Sequence, residues 1–240
     1  MCSNPLSPFL VGLCKTERKA VIFQANCDSW ECEECATRKR SQWAARAILG
    51  SKKIRSSGIM PQFITITSRP TYADFAACNA AFPRAWNKFQ GRMRRKRKEL
   101  TYLLIPEKHQ NGRLHYHFLT NLGEKKRWVK DNAYLSGFGY IADVQAIKSD
   151  GMAAAYISKY IGKGLGATGL PHKFRRVHTS QNWETLPKLD AQSANFDWLV
   201  CRTTVSLWSA TEQCQKENRT MIEGKTGEYF DYGSTIDSWY

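Results

Sequence analysis

Several features are missing from this sequence, and each absence narrows what the chain can be. No apolar run approaches the ~20 residues of a membrane-spanning helix, so no membrane partner is expected. Met1 to Leu13 lacks the basic stretch and apolar run of a secretory signal, which makes the cytoplasm the expected location. No G-x-x-x-x-G-K-S/T loop is present, so the chain shows no helicase built on that motif. Internal repeats and low-complexity tracts are absent too. Acidic residues are in the minority, 21 against 36 Lys and Arg, which leaves +15 at pH 7. A surplus of that size points to a polyanion, nucleic acid first, as the partner. Lysine kept for solubility alone is the plainer reading of the same surplus.

The apolar content is ample for one folded core, with 42% hydrophobic and 12% aromatic residues. Eight cysteines in a chain expected to meet a reducing compartment argue for metal binding over disulfides. Cys32-Glu-Glu-Cys35 has the C-x-x-C spacing that lets two thiolates reach one Zn²⁺. Cys27 and Cys14 are the candidates to complete its tetrahedron, with Cys2 as the alternative to Cys14. A thioredoxin-like redox pair is the rival, but no βαβ pattern surrounds it.

Along the chain, Ala36 to Gly50 reads as a basic, Trp-containing helix that a glycine stops, and Ser51 to Pro61 reads as a linker. Phe63 to Thr67 alternates apolar residues and Thr, the pattern of a half-buried strand. Tyr72 to Lys98 has helical periodicity in Phe75, Phe82, Trp86, Phe89 and Met93, with Pro83 as a point where it can split. Leu100 to Pro106 and Leu114 to Thr120 are strands joined through Asn111-Gly112, a hairpin signal. A short helix over Glu124 to Asp131, a strand over Gly139 to Ala146, a helix over Gly151 to Lys163 and a last strand over Phe174 to Ser180 complete the pattern. This order predicts an α+β sandwich, an antiparallel sheet with helices packed on one face. Three parts are expected: 1–57, the cysteine-rich zinc module with its basic helix; 58–185, the main domain; and 186–240, an extension of unknown role.

Within the second hairpin strand, His115 and His117 project from the same face while Tyr116 points to the other. Two imidazoles on one face can hold one cation, and two ordinary histidines would read the same. Glu107, across the hairpin, offers a carboxylate as third ligand, with His109 as runner-up. Such a mixed N/O set suits Mg²⁺ or Mn²⁺. In the helix after it, Tyr156 and Tyr160 lie one turn apart, with Lys159 and Lys163 at the same spacing and Ile157 and Ile161 on a core-facing flank. A metal beside a phenol is what a nicking transesterification needs; two tyrosines in a core stripe are the plainer reading. Arg92, Arg94, Arg95, Lys96, Arg97 and Lys98 form a dense run expected to touch phosphates, a nuclear localisation signal being the alternative.

Three of these segments, in this order, resemble the motifs of the HUH replication initiators of single-stranded DNA phages and rolling-circle plasmids, with a microvirus-like pattern. Phe63-Ile-Thr-Ile-Thr67 is similar to the first, Leu114-His-Tyr-His-Phe118 to the metal-binding second, and Tyr156-Ile-Ser-Lys-Tyr160 to the catalytic third. The resemblance spans Phe63 to Ser180 and implies a fold of the HUH, ferredoxin-like type. It also implies nicking and rejoining of single-stranded origin DNA through a 5′-phosphotyrosine, with Tyr156 as first nucleophile, Lys159 three residues on, and Tyr160 as the partner in a two-tyrosine scheme. An acidic residue ahead of the histidine pair completes the family's metal site, which favours Glu107. A cysteine cluster before a basic, Trp-containing helix is also common there, and Arg38, Lys39, Arg40, Trp43 and Arg46 fit it. Host helicase and polymerase are the implied partners. A non-catalytic zinc protein that binds nucleic acid, and an HUH transposase or relaxase, remain the other readings.

Overall fold

The structure, a computed structural model, describes residues 9–165, 174–184, 196–201 and 204–223. They fall into two compact units, one drawn from Met1–Lys39 and Pro187–Tyr240, the other from Arg40–Leu186. Both are mixed α and β with largely antiparallel sheets.

The larger unit is built on five strands: β3 (Gln62–Thr67), β4 (Tyr102–Lys108), β5 (Leu114–Thr120), β6 (Ala142–Ala146) and β7 (His178–Thr179). Their order is β6-β3-β5-β4-β7, every neighbouring pair antiparallel. The hairpin between β4 and β5 closes where the sequence expects it. Gly112 takes φ +80°, His109 N–H bonds Arg113 O at 2.8 Å, and Asn111 Oδ1 accepts from Arg113 N–H at 3.1 Å. Of the expected strand over Phe174 to Ser180, two residues pair with β4.

Alternation sends Ile64, Ile66, Leu104, Tyr116, Phe118 and Ala142 to one face. There they meet Phe82, Trp86, Phe89 and Met93 of α2 (Phe75–Lys96) and Val129 and Ala133 of α3 (Lys126–Ser136). Trp86 stands edge-on to Phe118 and Tyr102, with centroids 5.4 and 5.0 Å apart. Burial of each such side chain contributes about 2–3 kcal/mol, so this layer is the main source of the unit's stability. Asp74 caps α2 by accepting from Ala77 N–H at 2.9 Å.

Four expectations are corrected. Pro83 does not split α2, because it sits on the exposed side and the carbonyl it deprives, that of exposed Asn79, faces the solvent side too. Gly50 does not stop the first helix: α1 runs over Glu33–Ser56, through most of the supposed linker. The glycine is there for close approach, since a Cβ on it would lie 2.2 Å from Trp183 Cζ2. The short helix is longer than Glu124 to Asp131, reaching Ser136 before Gly137 ends it at φ +115°. The helices, finally, are not confined to one face. α4 (Asp150–Leu165) turns buried Ala153, Ile157 and Ile161 inward on the side of the sheet that α2 and α3 leave open.

His178, on β7 against the Phe82 ring at 5.3 Å, has its imidazole held down to about 4 by burial, with Arg175 pushing the same way. An unfolded histidine titrates near 6.5, so between pH 6.5 and 4 the unfolded chain binds a proton that the folded chain refuses. Stability therefore falls with pH in that window. Thermal melts across it should show a declining Tm, with a smaller decline for His178→Gln.

The smaller unit is a four-stranded sheet, order β8-β1-β2-β9, from β1 (Phe9–Cys14), β2 (Lys19–Gln24), β8 (Phe196–Cys201) and β9 (Thr220–Glu223). β1 is antiparallel to β2 and β8, while β2 and β9 run parallel. Val11, Ala20 and Cys201 pack with Ala210 and Cys214 of α5 (Thr204–Lys216). The unit thus takes two strands from each end of the chain.

Candidate active site

The face of the larger sheet under α4 can be read in rows. Gln145, Phe63, Leu119 and Leu103 form the first; Asp143, Thr65, His117 and Ile105 the second; Thr67, His115 and Glu107 the third. The last two rows hold the polar chemistry. Glu107 faces His115 directly in the β4–β5 register and also reaches His117, whose Nε2 lies 2.7 Å from Glu107 Oε2. The other ring nitrogen, Nδ1, lies 2.9 Å from Thr65 Oγ1. His117 is thus held by two groups, one on each neighbouring strand.

The three donors Glu107, His115 and His117 bring their ligand atoms within 4.8 Å of one another and can hold a metal ion. Bonds of about 2.1 Å place ligands about 3 Å apart at right angles and about 4 Å apart when opposite. The spacing therefore fits one divalent ion. With a metal on Nε2, the proton stays on Nδ1 and is donated to Thr65 Oγ1, which orients the ring. Burial, then the neighbouring His109 and His117, lower the His115 pKa, which favours the neutral imidazole a metal requires. His109, the runner-up, is exposed and outside the donor group; its ring stacks on His115 at 4.7 Å.

α4 lays both tyrosines over this face. The Tyr160 ring stacks on His117 with centroids 3.6 Å apart, and the Tyr156 ring stacks on Phe63 at 4.6 Å. Phe63 also lies 5.5 Å from Tyr160 and 6.0 Å from His117, so one ring underlies the group. The Tyr156 phenol donates to Gln145 Oε1. Lys159 is exposed, its Nζ 5.4 Å from the Tyr160 ring centroid. Tyr116 faces away, donating to Cys78 O at 3.4 Å, and burial pushes its phenol up, out of reach of useful ionisation. The side chain of Lys163 lies outside the described residues.

Phe63, Thr65 and Gln145 are members of the site that the motif reading passes over. Strand alternation carries the signal, since Phe63 and Thr65 share a face with the residues paired to β5.

The basic run lies elsewhere. Arg94, Arg95, Lys96 and Lys98 are exposed at the end of α2, on the other face of the sheet, with Lys96 3.6 Å from Glu124. Arg92 donates to Asn132 Oδ1 at 3.3 Å, and Arg97 is half-buried with its N–H on Met93 O. From His115 to Thr120, near which α2 ends, β5 covers about 17 Å. The run and the histidines are therefore separate surfaces.

In the smaller unit, Cys27, Cys32 and Cys35 also place their ligand atoms within 4.8 Å of one another, and this group can hold a metal ion. Glu33 opens α1 between the last two, so the helix dipole favours thiolates there. Cys14 is not brought to this group. Phe9 pairs with Gln24 and Leu13 with Ala20, so Cys14 ends β1 at the far end of the hairpin from Cys27. Its thiol lies 3.5 Å from Thr16 Oγ1. Cys2 is outside the described residues.

Residues 61–165 match a family described as Replication-associated protein, of the ORF2 type. The matched stretch runs from β3 to the end of α4 and contains the Glu–His–His group and both tyrosines. It supports a replication-initiator family, a role in replication initiation and an interaction with nucleic acid. No curated protein and no solved structure matches the chain. Among the described residues, no helix is long and apolar enough to cross a membrane.

Proposed function

We propose that this chain is a rolling-circle initiator of the HUH endonuclease class, which nicks single-stranded DNA at an origin and stays attached to the 5′ phosphate. The observation that carries the reading is the Tyr160 ring on His117, 3.6 Å away, with Tyr156 one turn earlier over the same face. A phenol oxygen attacks the scissile phosphorus as the bond to the 3′ oxygen breaks; the phenol proton ends on that oxygen, leaving a free 3′ hydroxyl. One phosphodiester is exchanged for another, so a later attack by a 3′ hydroxyl rejoins the strand. Mg²⁺ or Mn²⁺ held by Glu107, His115 and His117 would offset the charge on the phosphate's non-bridging oxygens.

The remaining roles belong to the chain. Gln145 orients the Tyr156 phenol. Lys159 sets a positive charge beside the Tyr160 ring, which favours phenolate. Two phenols on one helix suit successive nicks, each releasing the strand the other holds. The run over Arg92 to Lys98, and Lys163, hold DNA by its phosphates. Zn²⁺ on Cys27, Cys32 and Cys35 is structural, with one tetrahedral position left for another ligand. Unwinding, and extension of the 3′ hydroxyl, fall to host helicase and polymerase.

The test is direct. Incubated with a pool of single-stranded DNA and Mn²⁺, the protein should form an SDS-resistant adduct that EDTA prevents. Absence of adduct across the pool would refute nicking and leave a binding protein. Thr65→Val, which removes the support at His117 Nδ1, should weaken metal binding by about tenfold to a hundredfold, read by calorimetric titration with Mn²⁺.

A further inference from the structure

The sheet end that carries His115 and Glu107 continues into a surface that the nicking chemistry does not use. After Gly137 the chain turns through Gly139, whose N–H bonds Thr67 O at 2.7 Å, before β6 begins. Around this turn stand Tyr134, Leu135, Tyr140 and Ile141, all exposed, Tyr140 by 56% and Ile141 by 72%. The two tyrosine rings meet edge to face, with centroids 5.5 Å apart. Lys130 Nζ lies 3.8 Å from the Tyr140 centroid, and the Arg69 guanidinium 4.9 Å from that of Tyr134. Arg69 is tethered in turn, donating to Tyr134 O at 2.8 Å and to Phe138 O at 3.3 Å. The rings are therefore held in place, each with a cation beside it.

Thr67 ties this surface to the site. Its hydroxyl donates to Ile141 O at 3.4 Å, and its register partner on the other side is His115, which faces Glu107. Strands are about 4.8 Å apart, so the Ile141 backbone lies roughly 10 Å from that of His115. A strand with one phosphate at His115 brings its neighbouring nucleotides here.

We infer that Tyr134, Tyr140 and Ile141 form a stacking platform for unpaired bases beside the scissile phosphate, with Lys130 and Arg69 drawing in the backbone. Fixed aromatic faces flanked by cations are what a single strand binds, and a duplex hides its base faces in its own stack. The cations, on a chain of net charge +15, disfavour a second copy of the chain as the occupant. The inference rests on the proposed nicking function for what the strand does there, and its test is kept independent of cleavage.

A fluorescent single-stranded oligonucleotide and the same sequence as a duplex are titrated with the intact chain in EDTA, followed by anisotropy. Tyr140→Ala with Ile141→Ala should weaken single-strand binding by roughly tenfold or more and leave the duplex unchanged. Tyr140→Phe should bind as the wild type does, since stacking needs the ring and not the hydroxyl. Unchanged single-strand affinity, an equal loss for duplex, or a shift of the free protein from dimer to monomer in sedimentation would each overturn the platform. The adduct assay separates the two claims. Adduct from the wild type together with normal binding by the double variant removes the platform and leaves nicking standing. Selective loss of single-strand binding, with no adduct from the wild type, keeps the platform and removes nicking.

Discussion

Replacing His117 with alanine should cut nicking of single-stranded DNA by about a thousandfold or more, while affinity for the uncut strand stays nearly unchanged. The side chain is central to the group, contacting Glu107 through Nε2 and Thr65 through Nδ1 and lying under the Tyr160 ring. Losing it removes a metal ligand and the surface against which Tyr160 packs. Because His117 is only 3% exposed, the alanine also leaves a void, so His117→Gln, which keeps most of the volume, is the companion variant. His115→Ala should act in the same direction with less effect on folding. The measurements are the rate of cleavage of a labelled strand in Mn²⁺ and the binding curve in EDTA. Nicking that survives His115→Ala and His117→Gln at the wild-type rate would refute the metal centre.

The double change Tyr156→Phe with Tyr160→Phe should abolish the SDS-resistant adduct entirely, with the fold intact. Phenylalanine keeps the ring stacks on Phe63 and His117, so what is removed is the attacking oxygen, together with one bond to Gln145. In a paired scheme each single variant still forms an adduct through the remaining phenol, and neither completes a cycle of nicking and transfer. Loss of adduct in one single variant alone would assign a single nucleophile. Adduct from the double variant would overturn both tyrosines, and peptide mapping of the linked residue would locate the true one.

Much of the site could be read from the sequence because its parts are local. His-x-His on one strand, Glu107 across an Asn-Gly hairpin, and two tyrosines one turn apart are set by strand and helix periods alone. What escaped is what tertiary pairing decides. That Thr65 supports His117, and that Phe63 underlies both tyrosines, depends on β3 lying beside β5, fifty residues away in the chain. The side of the sheet taken by α4 was open for the same reason. Gly50 shows the opposite error, a local stop signal overruled because Trp183 needs the space a side chain would fill. Cys14 was grouped with Cys27 by order along the chain, and the β1–β2 hairpin carries the two to opposite ends.

The pairing of β8 with β1 and β9 with β2 bears on how the chain comes off the ribosome. Every strand of the larger sheet lies between Gln62 and Thr179, so that unit can close while the last residues are still being made. β1 and β2 are synthesised first and wait longest, with the outer edges of their hairpin unpaired until about two hundred residues have followed. Loop closure over such a span is slow. A ribosome that stalls after Thr179 would release a chain with a complete tyrosine helix and two bare strand edges, the form most prone to aggregate.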